Sequence, residues 1–199
     1  MAFDPYFPAS EPRRLIVGIS GATGIAYGIR LLEALRETKV ESHLVITRPG
    51  LMTLGYETDM SRDQLHALAD VVYAENDVGA AISSGSMITL GMIVAPCAIK
   101  SAAEIASGAT QTLLTRAADV TLKERRRLVL MVRESPLHTG HLRNLTQASE
   151  IGAIIMPPMP AFYPRPETIE DMIDHTVGRA LDLFRIKHNL LERWTGSPQ

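Results

Sequence analysis

An apolar strand that ends on two opposite charges is a natural place for chemistry, and Leu128-Val-Leu-Met-Val runs straight into Arg133 and Glu134. Charges in that position are costly unless they are paired or used. A guanidinium grips phosphate through two parallel hydrogen bonds. A carboxyl beside a phosphate has its pKa raised enough to hand a proton to a leaving group. A strand-end ion pair is the structural alternative. The turn Gly18-Ile-Ser-Gly-Ala-Thr-Gly24 offers a second candidate, since it leaves an apolar run and enters a helical one. Its glycines permit close backbone approach, and Thr23 with the free N–H groups of the helix start can hold an anion such as a phosphate. The spacing is not G-x-G-x-x-G, the Lys-Ser/Thr of a P-loop is absent, and the second strand ends Ile46-Thr47-Arg48 with no acid for a ribose. Dinucleotide binding is therefore disfavoured, and a mononucleotide stays open.

Other segments carry weaker signals. In Val94-Ala-Pro-Cys-Ala-Ile-Lys-Ser101 a proline leaves a buried strand, which stops the ladder and exposes backbone that suits a flat ring. Cys97 has no paired base in sight and reads as a small buried hydrophobe. Ser83-Ser-Gly-Ser86 reads as a turn. His138-Thr-Gly-His141 resembles only superficially the H-x-G-H of adenylyl-transferring enzymes, whose motif belongs near the first strand. No carboxylate or cysteine completes a metal set around it, so the two read as surface histidines. The loop Met156-Pro-Pro-Met-Pro-Ala-Phe-Tyr163-Pro-Arg-Pro presents a phenol, and Arg179 follows on the last helix. Phenol and guanidinium could clamp another phosphate, with Met and Phe lining an apolar slot. Read blandly, the loop packs over the core.

These residues need a frame. Apolar runs at Leu15–Ile19, His43–Thr47, Met92–Ala95, Leu128–Val132 and Ala153–Met156 are continuous rather than alternating, as strands covered on both faces require. Amphipathic stretches at Ile25–Thr38, Ser61–Ala69, Ala109–Lys123, Leu137–Ile151 and Pro166 to about Leu191 predict helices between them. The alternation implies a three-layer, doubly wound α/β fold with a mainly parallel sheet, of the Rossmann or flavodoxin-like type. Ligands in such sheets sit at the carboxyl ends of strands, here the loops at 20–24, 47–50, 96–101 and 133–136.

At 199 residues the chain holds one domain, expected over residues 14–194 between tails at 1–13 and 195–199. A net charge of −2 gives no footprint for nucleic acid. No run of about 18 apolar residues predicts a membrane span, and the N-terminal segment has the pattern of neither a signal nor a transit peptide. One cysteine fits a reducing cytoplasm.

From Arg14 to Trp194 the segments, in this order, resemble the UbiX/Pad1 flavoproteins. The most specific are Leu114-Thr-Arg-Ala-Ala-Asp-Val-Thr-Leu-Lys-Glu-Arg-Arg through Val132-Arg-Glu-Ser-Pro, the Pro-Ala-Phe-Tyr loop and Asp174-His-Thr-Val-Gly-Arg179. The resemblance implies a flavin prenyltransferase, which joins a dimethylallyl unit from dimethylallyl phosphate to N5 and C6 of reduced FMN without a metal. The product, prenylated FMN, would serve a UbiD-type decarboxylase. It implies that Gly21, Ala22, Thr23 and Thr47 hold the FMN phosphate and ribityl chain, and that Ala98, Ile99, Lys100, Ser101 and Arg133 meet the flavin. Arg116, Lys123, Tyr163 and Arg179 would bind the donor phosphate. Glu134 would be the acid–base on the departing phosphate, and Glu57 a carboxylate in ring closure. A homo-oligomer, commonly a dodecamer, with sites completed by neighbouring subunits, is implied too.

Thr23 stands where serine is commoner, Ala98 where many relatives have serine, and Val78 where some carry a tryptophan, features nearer the Pad1 branch. The competing reading is an FMN or prenyl-FMN carrier without transferase activity, which would tolerate loss of Glu134. A cysteine-peptide decarboxylase would need a Pro-x-Met-Asn loop, and Pro96-Cys-Ala-Ile lacks it.

Overall fold

The computed structural model describes residues 12–193 and Gly196. The expected tails fall outside these residues apart from Pro12, Arg13 and Gly196, and Arg13 opens the first strand. Among the described residues six strands form one sheet: β1 (Arg13–Ile19), β2 (Val40–Ile46), β3 (Val71–Tyr73), β4 (Gly91–Cys97), β5 (Arg127–Val132) and β6 (Ala153–Ile155). Their order is β3-β2-β1-β4-β5-β6 and every pairing is parallel. The helices are α1 (Ile25–Arg36), α2 (Arg48–Glu57), α3 (Arg62–His66), α4 (Ile99–Ser107), α5 (Leu113–Lys123), α6 (Thr139–Glu150) and α7 (Ile169–Leu183). Successive residues of a strand alternate between the two faces. Leu15, Val17 and Ile19 therefore pack with α1 and α7, while Ile16 joins Met92 and Val94 under α4 and α5. Helix, sheet and helix make the three expected layers.

Strand order reverses between β1 and β4. From β1 the chain crosses to β2 through α1 on one face, and from β4 to β5 through α4 and α5 on the other. That reversal splays the helices apart at the carboxyl ends of β1 and β4 and opens a crevice there. Two of the expected site loops prove to be helix starts. Thr47 and Ala98 are N-caps, so 48–50 and 99–101 are first turns of α2 and α4, neither of which the apolar pattern predicts. The last helix is shorter than its amphipathic stretch. Its carboxyl end is closed by Phe184 N–H and Ile186 N–H, both donating to Leu181 O, with Arg185 at φ 53. The apolar spacing continues because the following segment returns to the core: Ile186 is buried, and His188 and Leu191 lie against Gly178.

Candidate active site

The switch-point crevice is built by main chain. Ser20, fully buried at the end of β1, donates from its N–H and its hydroxyl to Pro96 O (3.1 and 3.0 Å), and its Oγ accepts from Ala98 N–H at 2.6 Å. These bonds fasten the carboxyl ends of β1 and β4 to each other. They also set the direction in which α4 departs. Ala98, its N-cap, brings no side-chain acceptor. The first N–H groups of a helix have no partner inside it, so Ile99, Lys100 and Ser101 offer donors at the positive end of the α4 dipole. The Lys100 ammonium is 83% exposed and 3.5 Å from Glu104, so its backbone is what faces the crevice end.

The glycine turn closes the other side. A Cβ at Gly21 would stand 2.3 Å from Pro49 Cβ, so only glycine lets the turn press on the start of α2. Gly24 has φ 92, in the left-handed region. Thr47 N–H donates to Ile19 O at 2.9 Å, and Thr47 Oγ1 accepts from Gly50 N–H at 3.1 Å. A hydroxyl has one donor and two acceptor positions, so its hydrogen stays available to a phosphate beside the turn. The N-terminus of α1 is already met by a carboxylate: Glu57, the last residue of α2, accepts from Gly24 N–H (3.2 and 2.9 Å) and Ile25 N–H (3.0 Å). The structure thus brings Glu57 into contact with the turn that holds Thr23.

Arg133 and Glu134 lie just past β5, tethered by Arg133 N–H donating to Cys97 O at 3.0 Å. Arg133 is exposed and Glu134 half-buried, and among the described residues no ion pair joins them. The burial cost that a strand-end pair would offset is not incurred. Both side chains are left to the carboxyl edge. Tyr27, in the first turn of α1, lies within electrostatic reach of Arg133: burial pushes its phenol up, and the guanidinium partly opposes the shift. Cys97 is a core residue of β4, its thiol pushed up to about 12 by burial. It cannot serve as a thiolate near neutrality. His138 and His141 stack at 3.5 Å, and His138 Nδ1 caps α6 by accepting from Gly140 and His141 N–H. Among the described residues no group of three or more His, Cys, Asp or Glu could hold a metal.

The chain matches the family model of the flavoproteins over residues 7–184. It is 56% identical over 188 residues to the flavin prenyltransferase UbiX of Escherichia coli K12, covering 93% of this chain and 100% of that protein. It is 50% identical over 186 residues to the mitochondrial flavin prenyltransferase PAD1 of Saccharomyces cerevisiae, with 94% and 77% covered. The chain belongs to the flavoprotein family. The crystal structure of AnUbiX (PadA1) in complex with FMN and dimethylallyl pyrophosphate matches with a TM-score of 0.92 at 49% identity, covering 94% of this chain and 100% of that one. A dodecameric FMN-dependent UbiX-like decarboxylase from Escherichia coli O157:H7 matches at 0.90 and 49%, covering 92% and 100%. The UbiX/Pad1 resemblance and the doubly wound fold are both borne out.

In this flavoprotein the residues expected at the donor phosphate are spread over three parts of one chain: Arg116 and Lys123 on α5, Arg179 on α7 and Tyr163 in the loop before α7. Tyr163 is tied to α7, the helix that carries Arg179, through a residue the sequence reading missed. Tyr163 Oη is 2.9 Å from Nε2 of His175, the rings meeting edge to face at 5.6 Å, and His175 stands one turn before Arg179 on α7. The four-residue spacing of His175 and Arg179 was the available signal. Arg179 also pairs with Asp182 at 2.9 Å, whose carboxyl is held below its usual range chiefly by Arg193. Arg116, Asp119 and Lys123 share the outer face of α5, with Arg116 and Asp119 2.8 Å apart and Lys123 pairing with Glu124. Lys123 ends α5 next to the amino end of β5, whereas Glu134 follows the carboxyl end. A single chain therefore keeps them at opposite edges of the sheet. The expected apolar slot is open as well, since Met159 and Phe162 are 72% and 70% exposed.

Proposed function

We propose that this flavoprotein is a flavin prenyltransferase that joins a dimethylallyl unit, carried by dimethylallyl phosphate, to reduced FMN. The observation that carries the reading is the 56% identity with the Escherichia coli flavin prenyltransferase along that protein's whole length. The crevice fits FMN: free N–H groups at α4, the Thr47 hydroxyl and the Gly21–Thr23 turn can take a phosphate and ribityl chain, and Arg133 reaches toward the ring. Reduced FMN is a substrate and supplies the nucleophilic N5 and C6. The chain's own side chains manage the donor. When the carbon–oxygen bond to phosphate breaks, the electron pair leaves on the phosphate oxygen. Tyr163, Arg179, Arg116 and Lys123 stabilise that developing charge, and Glu134 delivers a proton to it. Closing the ring spends the prenyl double bond, one of whose carbons bonds C6 while the other gains a proton; the protons given up by N5 and C6, the latter through Glu57, balance those taken up by that carbon and by the phosphate.

Water must be kept from an allylic cation, and one chain leaves Met159 and Phe162 exposed. Together with the position of Lys123, this supports a homo-oligomer whose copies complete each other's donor pocket, and one relative is dodecameric. We infer further that the product goes to a UbiD-type decarboxylase and that the protein works in the cytoplasm; among the described residues no helix is long and apolar enough to cross a membrane. Anaerobic incubation with reduced FMN and dimethylallyl phosphate, then mass spectrometry of the extracted flavin, tests the reading. A flavin heavier by one five-carbon unit is expected. Bound but unmodified FMN, with the diphosphate donor also tried, would turn the assignment to a carrier.

A further inference from the structure

We infer that Arg126 is a positioning residue of the donor pocket: it clamps the turn at Ser84–Met87 against the end of α5, and that turn is the floor on which the Lys123 ammonium is held. The inference rests on the reading that Lys123 serves the donor phosphate. Arg126 is fixed first by its own backbone. Its N–H donates to Thr121 O at 2.9 Å and Arg125 N–H donates to Leu122 O at 2.9 Å, with Arg125 at φ 57, so the chain leaves α5 through a closed left-handed cap. From there the half-buried guanidinium reaches a distant part of the chain, donating from Nη2 to Gly85 O at 2.8 Å and from Nη1 to Met87 O at 2.6 Å. A planar fork with fixed donors matches two carbonyls in a set geometry, which a flexible ammonium does not. The turn is also braced from within. Ser84 Oγ lies 2.8 Å from Ser86 Oγ, and Met87 N–H donates to Ser84 O at 3.3 Å.

Gly85 connects this brace to Lys123. A Cβ built there would overlap Glu124 Oε1 and stand 2.8 Å from Lys123 Nζ. The Lys123–Glu124 pair, 2.5 Å apart, therefore lies directly on the bare backbone of the turn. An exposed ion pair contributes little, so Glu124 can yield the ammonium to a phosphate while the floor stays in place. A long side chain that is already seated loses less rotamer freedom when it binds. The basic residues Lys123, Arg125, Arg126 and Arg127 also suit the negative end of the α5 dipole, and on that ground alone Arg126 would be a staple for the fold.

Donor kinetics of the full-length protein at saturating reduced FMN separates the two roles. Arg126→Met keeps the apolar stem and removes both bonds. Its kcat/KM for dimethylallyl phosphate should fall about tenfold, with FMN affinity within about twofold. Gly85→Ala leaves both carbonyls to Arg126 but puts a methyl where the ion pair lies. The atoms it meets are the ends of flexible side chains, so the melting temperature should hold within about 2 °C while donor kcat/KM again falls about tenfold. Added to Lys123→Ala, either change should cost no further activity in single turnovers, because both act through that ammonium. A staple alone would lower the melting temperature of Arg126→Met and leave its donor kcat/KM unchanged. An unchanged kcat/KM in either variant, an additional loss on the Lys123→Ala background, or an equal loss of FMN affinity overturns the inference. Should Arg126→Met not fold, Gly85→Ala decides, and a normal donor kcat/KM there sinks the proposal. Lys123→Ala is run alongside. Unaltered donor kcat/KM in that variant means that Lys123 does not serve the donor, whereas a fall there with Arg126→Met and Gly85→Ala both normal refutes Arg126 alone.

Discussion

The two halves of the candidate site are made differently. At the switch point the groups that would meet the flavin are backbone N–H donors and short hydroxyls, placed by the sheet and locked by Ser20, Thr47 and the glycine turn within one chain. On the donor side they are long side chains on a proline-rich loop, on α7 and on the outer face of α5, paired for now with His175, Asp182, Asp119 and Glu124. A flavin phosphate can be recognised by fixed dipoles that need no rearrangement. A departing phosphate needs charge and a proton at the moment of bond breaking. Under the proposed reading, exposed cations contributed by neighbouring copies would exchange their present partners for the donor phosphate when it arrives.

The largest break of that contrast should come at the proposed proton donor. Glu134→Gln keeps the shape and removes the proton, so prenyl transfer should fall by about 10²- to 10⁴-fold while FMN affinity holds. Single-turnover mass spectrometry with a parallel flavin titration measures both, and unchanged turnover would strip Glu134 of its role. Mixing then sharpens the picture. Lys123→Ala and Glu134→Gln are each expected to be nearly inactive alone. If neighbouring copies supply the two groups, oligomers reassembled from equal amounts should regain activity in about a quarter of their sites. No regain would place both groups in one chain's site, against the separation seen here.

Next in size is Arg179→Ala. Losing a charged hydrogen-bonding group costs about 1.5–3 kcal/mol, or roughly ten- to a hundredfold in donor KM, with FMN binding untouched. A shift in FMN affinity as large as that in donor KM would mean the two halves are not separate. The comparison also explains what could be read from sequence. Five strands were legible because continuous apolar runs have one explanation in an α/β chain, whereas β3, three half-buried residues at the sheet edge, leaves no such mark. The helices α2 and α4 were hidden because Thr47-Arg-Pro and Pro96-Cys-Ala read as strand exits, although Thr47 is an N-cap with proline following, a standard helix opening. Tyr163, Arg179 and Glu134 could be picked out as chemistry in waiting. Their distribution could not, since neither the place of Lys123 at the amino edge nor the Tyr163–His175 contact is encoded in local spacing.

On the flavin side the sharpest test is Ser20→Ala. The change leaves the half-buried N–H of Ala98 without its acceptor and removes a tie between β1 and β4, a loss of about 1–3 kcal/mol. A domain of this size loses about 2–4 °C in melting temperature per kcal/mol, and FMN affinity should weaken because α4 no longer leaves at a fixed angle. Donor KM at saturating flavin should not move. A donor effect matching the flavin effect would show that the backbone frame governs both halves.

The smallest effect is expected at Cys97, and it discriminates between position and reactivity. The residue sits one place before the N-cap of α4, close enough to the flavin face to invite a nucleophilic role. Its side chain points into the core, and its thiol, pushed up to about 12, holds its proton far above neutral pH. Cys97→Ala should leave both flavin affinity and prenyl transfer unchanged and cost only about 1 kcal/mol for the small void. The native protein should resist iodoacetamide at pH 8 and react once unfolded. Rapid labelling of the folded protein with loss of transfer would mean that the end of β4 opens toward the crevice, and would erase the rigid side of the comparison.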